Sequence, residues 1–321
     1  ADGRRRRPVR GRVAVRRFRA GEVLGQPKLG SISFEADVDG VVGRELVDAR
    51  IDGSITQLEF NDYPYDSLRF DGRLTEKTFN GRVRADDPAL RFDFQGEVGF
   101  DPRRPHYDFD LDLIHADLAR MRFNRRDSVS VLSALVKARA SGRTLDDMNG
   151  VVTVSDVRYR YNADTLRTKL LTLSGQNDTG SKYLSLQSEF ADATFRSRTD
   201  YRTVFAYLQS SVEKYVPLLS DKQRARRRTT GAVSVVDDYS VLSVDVKHFT
   251  PVADAVSDGL QIADGSQLRL LFNPANDKLS LKATSEYIER ERMLATRLNL
   301  NATNLGDSLS VYLRSEDFYL G

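Results

Sequence analysis

Apolar and polar residues alternate with a period of two along most of the chain. Phe92 and Phe94 flank Asp93, and the same alternation returns at positions 107–113, 184–186, 268–272, 279–281, 298–300 and 309–313. Successive side chains of a β-strand point to opposite faces of the sheet. The pattern therefore predicts β-strands from one end of the sequence to the other, each with one apolar face and one face in water.

The alternation also favours antiparallel pairing. Strands of a parallel sheet are covered by helices on both faces and form continuous apolar runs instead of alternating ones. Glycines stand two residues before an apolar position at Gly53, Gly72, Gly81 and Gly96. This spacing suits turns or bulges at the start of a new strand, so we expect an antiparallel sheet punctuated by glycines.

Helical periodicity is confined to three short segments. At 128–140, apolar residues fall on one helical face behind Asp127, a residue type that caps helices well. A second helix is predicted at 203–216, ended by Pro217, and a third at 251–258. Such short helices cannot cover so many strands. On the residue pattern alone, the apolar face either folds against itself in a sandwich or barrel, the commoner solution, or lines a trough.

Composition narrows the class of protein. The 321 residues are 40% hydrophobic and 30% charged. This apolar content is low for two domains that each bury a large hydrophobic core. Lys+Arg at 49 nearly balance Asp+Glu at 46, so the net charge does not indicate nucleic-acid binding. The absence of cysteine excludes disulfides and thiolate sites. No apolar run approaches the roughly 20 residues of a membrane-spanning helix, and residues 1–10 do not resemble a signal peptide.

Catalytic and metal-binding candidates are few. Asp108, Asp110 and Asp112 share one strand face, where they could bind a cation or act as acid and base, but a hydrated carboxylate face is the more ordinary interpretation. The three histidines have no metal-ligand spacing. We therefore expect no enzyme activity, no catalytic residue, no metal and no cofactor.

Two arginine-rich segments lie at positions 4–19 and 222–228. Such segments can bind anionic lipid headgroups or nucleic acid. In the first segment, Val13, Val15 and Phe18 interleave with the arginines, which is typical of the wet face of a strand. Hydrated surface is the main expectation, with anionic headgroups as an alternative, and no nucleic-acid partner is predicted.

Several blocks of the sequence stand out together. The first is FNDYPYDSLRFDGRL at 60–74, and the others lie at 79–88 with 92–94, at 116–118 leading to 126–133, at 146–165 and at 188–193. These blocks, which cover roughly positions 60–207, resemble the family of TamB, the translocation and assembly module protein, which is related to AsmA-like lipid-transfer proteins. The chain is unusually rich in arginine for this family. Neither the family's N-terminal membrane anchor nor its C-terminal domain is evident, so we expect a piece of a longer protein.

The resemblance implies a mostly β fold, in which a long antiparallel sheet with two or three short helices curls into an open hydrophobic groove, the β-taco. Residues 1–321 would be one continuous, repeated groove segment. The full-length protein would be anchored in the inner membrane of a Gram-negative bacterium and extend through the periplasm. It would conduct phospholipids, its cargo, toward the outer membrane. An outer-membrane assembly protein of the TamA or BamA type is an implied partner.

We expect apolar residues of the alternating strands to line that groove: Phe92, Phe94, Phe109, Leu111, Leu113, Leu184, Leu186, Leu279, Leu281, Leu298, Leu300, Leu309, Val311 and Leu313. Burial of an acyl chain gains about 0.8 kcal/mol per CH₂, so such a surface needs no specific site. Two alternatives stay open. One is a scaffold for outer-membrane protein assembly by strand addition, and the other is an extracellular carbohydrate- or cation-binding β-protein.

Overall fold

The fold was established with a computed structural model, which describes residues 7–43, 46–178, 180–215, 238–250, 252–253, 260–290, 292–305 and 308–320. These residues form one large open antiparallel sheet accompanied by two short helices. The prediction of a mostly β, antiparallel fold with few helices is confirmed.

The chain divides into two compact units. Unit 1 comprises Ala1–Arg143 and Val151–Leu171, and unit 2 comprises Thr144–Gly150 and Thr172–Gly321. The first strands are β1 (Arg7–Arg19), β2 (Leu29–Gly43), β3 (Leu46–Phe60), β4 (Tyr63–Tyr65), β5 (Leu68–Thr75), β6 (Thr78–Asp87), β7 (Leu90–Gly99), β8 (His106–Asp117), β9 (Ser130–Ser141), β10 (Asn149–Tyr161) and β11 (Asp164–Asp178). A short helix, α1 (Ala20–Leu24), follows β1.

The remaining strands belong to unit 2: β12 (Ser181–Ser188), β13 (Ala191–Ser197), β14 (Ser240–Val246), β15 (Leu260–Ile262), β16 (Gln267–Asn273), β17 (Lys278–Arg290), β18 (Met293–Leu305), β19 (Ser308–Arg314) and β20 (Phe318–Leu320). A single 3₁₀ turn, Leu145–Asp147, and the longer helix α2 (Tyr201–Tyr215) complete this unit as described. Most strands pair with their neighbours in sequence, as hairpins do.

Local sequence explains many of the hairpins. Between β3 and β4, Asn61 and Asp62 both have positive φ, 55° and 60°, as the two-residue turn between Phe60 and Tyr63 requires. Asn and Asp tolerate this conformation better than other residues with a side chain. The turn folds β4 back onto β3.

The prediction of a helix at 128–140 is wrong, because residues 130–141 form strand β9. Val131, Leu132, Leu135 and Val136 fit a helical stripe, but Ala134, Val136 and Ala138 also fit one face of a strand. Pairing with β8 decides between them. The register places Ala134 opposite Leu113 and Val136 opposite Leu111, so hydrogen bonds to the neighbouring strand override a weak helical pattern.

The second helix is confirmed, since α2 spans Tyr201–Tyr215. Of the third segment, 251–258, residues 252 and 253 are helical and buried. The other residues of that segment lie outside the described part of the chain.

The glycines predicted to mark turns or bulges at the start of a strand lie in the middle of strands instead. Gly72, Gly81 and Gly96 stand directly opposite one another on β5, β6 and β7. A Cβ on Gly81 would lie 2.3 Å from the carbonyl oxygen of Asp71, and one on Gly96 would lie 2.3 Å from that of Asp108. In a flat sheet a Cβ stands clear of the neighbouring backbone. These glycines therefore mark a crease at which unit 1 bends toward its apolar face.

Each unit has a small core of its own. In unit 1, Tyr63, Tyr65, Leu68 and Met121 are buried together. The buried carboxylate of Asp87 joins this core, where it accepts hydrogen bonds from the Tyr63 hydroxyl at 3.0 Å and from the Ala89 amide at 2.7 Å. In unit 2, the core consists of Phe195, Tyr201, Val204, Leu270 and Phe272.

Candidate functional site

The apolar face of unit 1 is a ladder of side chains that crosses five strands. Cross-strand pairing aligns one residue from each of β5 to β9, namely Phe70, Val83, Phe94, Leu111 and Val136. All of them are half-buried. Apolar side chains that line up without becoming buried form a surface on which an apolar chain can lie.

The unit 1 residues predicted to line a groove share this face. Phe92 is opposite Leu113, Phe94 is opposite Leu111, and Phe109 is opposite Gly96 in the crease. The rings of Phe94 and Phe109 lie 5.1 Å apart. Phe92 and Leu113 pack against the core around Met121, so the loop after β8 closes the face at that end. Phe94, Phe109 and Leu111 lie beyond this closure.

The opposite face of unit 1 carries a ladder of charges. Arg84 Nε lies 2.8 Å from Asp93 Oδ2, and Arg139 Nε lies 2.7 Å from Asp108 Oδ1. A second Arg139 nitrogen lies 3.5 Å from Asp110. The carboxylates considered above for cation binding thus include two that face an arginine. Among the described residues, no cluster of His, Cys, Asp or Glu could hold a metal ion.

A depression of about 600 Å³ lies on this charged face, above Gly72 and Gly81. Its charged lining is largely paired. Arg73 donates two hydrogen bonds to Asp48, of 2.6 and 2.7 Å, and the hydrogen bond from Arg73 lowers the pKa of that carboxyl group. The depression therefore consists of groups that neutralise each other, which does not favour a catalytic role.

The described part of the first arginine-rich segment shows the same pairing. Arg12 Nη2 lies 2.7 Å from Glu35 Oε2, and Arg10 Nε lies 3.6 Å from Asp39 Oδ2. Both arginines and Asp39 are exposed and Glu35 is half-buried, so these pairs form part of the hydrated face. The second segment, 222–228, lies outside the described residues.

The apolar face of unit 2 forms two parallel rows. One row runs through Leu184, Phe195, Leu242, Leu270, Leu281, Ala302 and Val311, and the next through Leu186, Ala193, Val244, Leu268, Ala283, Leu300 and Leu313. Leu279 pairs with Phe272, Leu298 with Ser285, and Leu309 with Asn304. The register thus places every predicted lining residue of unit 2 on one face.

These residues are not equally open. Leu184, Leu279 and Leu281 pack against the core that includes helix α2. Val311 and Leu313 are 55% and 57% exposed on β19. The sequence pattern predicted the helix but not its position on the apolar face, because a 3.6-residue period identifies a helix without identifying the surface that it covers.

None of the described helices is long and apolar enough to cross a bilayer. Comparisons of the chain with protein-family models, curated proteins and solved structures found no match. Function is therefore inferred from the geometry of the two apolar faces.

Proposed function

We propose that the apolar face binds acyl chains and lets them move along the sheet, as a groove segment of a phospholipid-conducting protein would. One observation supports this most strongly. The predicted lining residues align in cross-strand rows on one face of each unit, and each of them is half-buried or exposed. Large side chains that fill a closed sandwich core would be mostly buried.

The energetics fit transient binding. A chain of about 16 carbons on a one-sided surface buries roughly half its area and gains about 6 kcal/mol before the cost of association. This is weak enough for rapid exchange. Because similar Leu, Phe and Val side chains recur from strand to strand, neighbouring positions hold a chain about equally well, and movement between them meets no deep energy minimum.

The charged face of unit 1 complements this role. Its arginines are exposed, and they pair across strands with carboxylates that are exposed or half-buried, so this face remains hydrated while the other contacts lipid. The TamB-like blocks support a periplasmic location, an inner-membrane anchor in the full-length protein, and a part in outer-membrane biogenesis. These assignments belong to the same proposal.

The test is a binding measurement with a matched pair of variants on β8. Leu111→Lys places a charge in the apolar ladder, whereas Asp112→Lys places the same charge on the opposite face of the same strand. With a fluorescent 16-carbon fatty acid, we expect Leu111→Lys to bind at least about fivefold more weakly and Asp112→Lys to bind like the unmodified chain. Equal binding by both variants would exclude the ladder of unit 1 as a binding surface.

Native mass spectrometry of the purified chain adds a direct observation. Co-purified phospholipid supports the groove. A chain that carries no lipid and binds no fatty acid would instead favour a scaffold that acts by strand addition. Binding of that kind should survive Leu111→Lys.

A further inference from the structure

Helix α2 lies on the same apolar rows of unit 2 that the proposed function assigns to acyl chains. Tyr201 and Val204 are buried in the cluster with Phe195, Leu270 and Phe272, and Tyr207 and Leu208 pack at its edge. Leu184, Leu279 and Leu281 from the sheet complete the contact. The helix thus covers part of the row that begins at Leu184 and the neighbouring pair of Phe272 and Leu279.

Aromatic rings provide much of this contact. The rings of Phe195 and Tyr201 lie 4.8 Å apart, and those of Tyr207 and Phe272 lie 5.9 Å apart and nearly parallel. Phe272 has no exposed surface. Ligands with long hydrocarbon chains would need these same side chains, so α2 and such a ligand cannot occupy the rows together.

A few polar contacts hold the helix in place. The Tyr201 amide donates to Asp146 Oδ1 at 2.5 Å, and the Tyr207 hydroxyl donates to Asp277 Oδ1 at 2.9 Å. Lys182 Nζ lies 2.5 Å from Asp200 Oδ1 at the start of the helix. The outer side of α2 is exposed, with Phe205 at 61%. The helix therefore forms a single layer over the sheet.

The geometry points to a regulatory role for α2 as an exchangeable cover, which competes with acyl chains for the apolar rows of unit 2. The inference rests on the proposed function and adds a control element to it. With the helix seated, the rows near Phe272 are closed. With it displaced, those rows become continuous with the exposed positions at Val311 and Leu313, which the register already aligns with them.

Three variants distinguish the effect of helix α2 on binding from that of the sheet beneath it. Val204→Asp charges the buried side of α2, and Phe205→Asp makes the same substitution at the adjacent, exposed position. Ala206→Gly weakens the helix at another exposed position without removing a buried contact. Because glycine destabilises a helix interior, this substitution should shift the equilibrium between the seated and the displaced helix about fivefold toward the displaced state.

The experiment measures binding of the fluorescent 16-carbon fatty acid to the full chain, together with amide hydrogen exchange of residues 204–208. Saturating fatty acid should accelerate exchange in this helix at least about tenfold, because the ligand selects the uncovered state. Ala206→Gly should bind up to about fivefold more tightly, Val204→Asp should bind more tightly than the unmodified chain, and Phe205→Asp should match it.

Two results would overturn the inference, and they are distinguishable. If the fatty acid binds but leaves exchange in α2 unchanged, and Ala206→Gly binds like the unmodified chain, the helix is a fixed part of the core and the proposed function stands. If neither the unmodified chain nor any variant binds, the proposed function itself fails. If Val204→Asp loses its β-sheet circular dichroism, that variant has not folded. Binding and hydrogen exchange of Ala206→Gly then test the inference.

Discussion

Units 1 and 2 start from the same alternating pattern but bury different residues. In unit 1 the buried positions away from the strand ends are small, and Ala36, Ala49 and Ala138 are 3–5% exposed. In unit 2 they include large side chains as well as small ones, and Phe195, Leu270 and Phe272 are 0–9% exposed. Helix α2 packs against the large buried residues of unit 2, whereas the described part of unit 1 has no comparable helix over its sheet.

Period-two alternation therefore specifies an apolar face but not what covers it. In unit 1, the aromatic and aliphatic residues Phe70, Phe94 and Leu111 remain half-buried. The hydrated faces differ as well. Unit 1 pairs Arg with Asp and Glu across strands, whereas the paired strands β17 and β18 of unit 2 place Thr284 opposite Asn299 and Lys282 opposite Asn301.

The largest expected difference concerns a phenylalanine from each unit. Phe272→Ala should lower the free energy of unfolding of unit 2 by about 3–5 kcal/mol, because it removes a fully buried ring. Phe94→Ala in unit 1 should cost roughly 1–2 kcal/mol, since that ring is only half-buried. Urea unfolding monitored by hydrogen exchange in each unit measures both. Equal losses would mean that unit 1 has a cover over Phe94 in solution.

The crease of unit 1 can be tested with two glycines of the same cross-strand row. Gly81→Val should destabilise unit 1 by about 1–3 kcal/mol, because the new Cβ would meet backbone atoms of β5 at 2.3 Å and 2.6 Å. Gly11→Val should be neutral or slightly stabilising, since a Cβ there has no neighbour within 4 Å. Thermal unfolding compares them. A neutral Gly81→Val would show that the sheet is not creased.

Alkaline pH should weaken both cores through one tyrosine in each. Burial raises the pKa of Tyr63, which also donates to Asp87, to about 12, and burial likewise raises the pKa of Tyr201 to about 12. The native state therefore retains the phenol proton at a pH where the unfolded chain has lost it. This contribution is complete below about pH 10 and is lost as the pH rises toward 12, by up to roughly 2 kcal/mol per tyrosine.

The control for that pH dependence is a phenylalanine at each position. In urea titrations between pH 9 and 12, Tyr63→Phe should reduce the loss of unfolding free energy in unit 1 alone. Tyr201→Phe should reduce that loss in unit 2 alone. If both variants lose stability with pH as the unmodified chain does, other titratable groups cause the loss.

The smallest effect is expected on the charged face of unit 1. Arg139→Gln removes the contacts with Asp108 and Asp110, but these side chains are exposed, so stability should change by less than about 1 kcal/mol. Fatty-acid binding should not change either, because Arg139 lies on the face opposite Leu111. Loss of binding in this variant would implicate the charged face and reopen the carbohydrate- or cation-binding alternative.

Much of the fold could be predicted because strand and helix periods are local properties of a sequence. The alternation at 107–113 and 268–272 identified strands, and the 3.6-residue pattern at 203–216 identified α2. The predicted lining residues could be assigned to common faces because alternate side chains of a strand point to the same face of the sheet. The lipid itself, the membrane location and the partners remain predictions from the TamB-like blocks.

The sequence by itself determined that this protein would be an array of amphipathic strands, because side-chain alternation requires no knowledge of distant residues. Tertiary structure alone decided the rest. Residues 130–141 became a strand because β8 supplied hydrogen-bonding partners, and Gly72, Gly81 and Gly96 became a crease because cross-strand register aligned them. Helix α2 covers Phe272 because the chain after β13 returns over the sheet. Each outcome depends on residues far apart in sequence, whose meeting a local pattern does not encode.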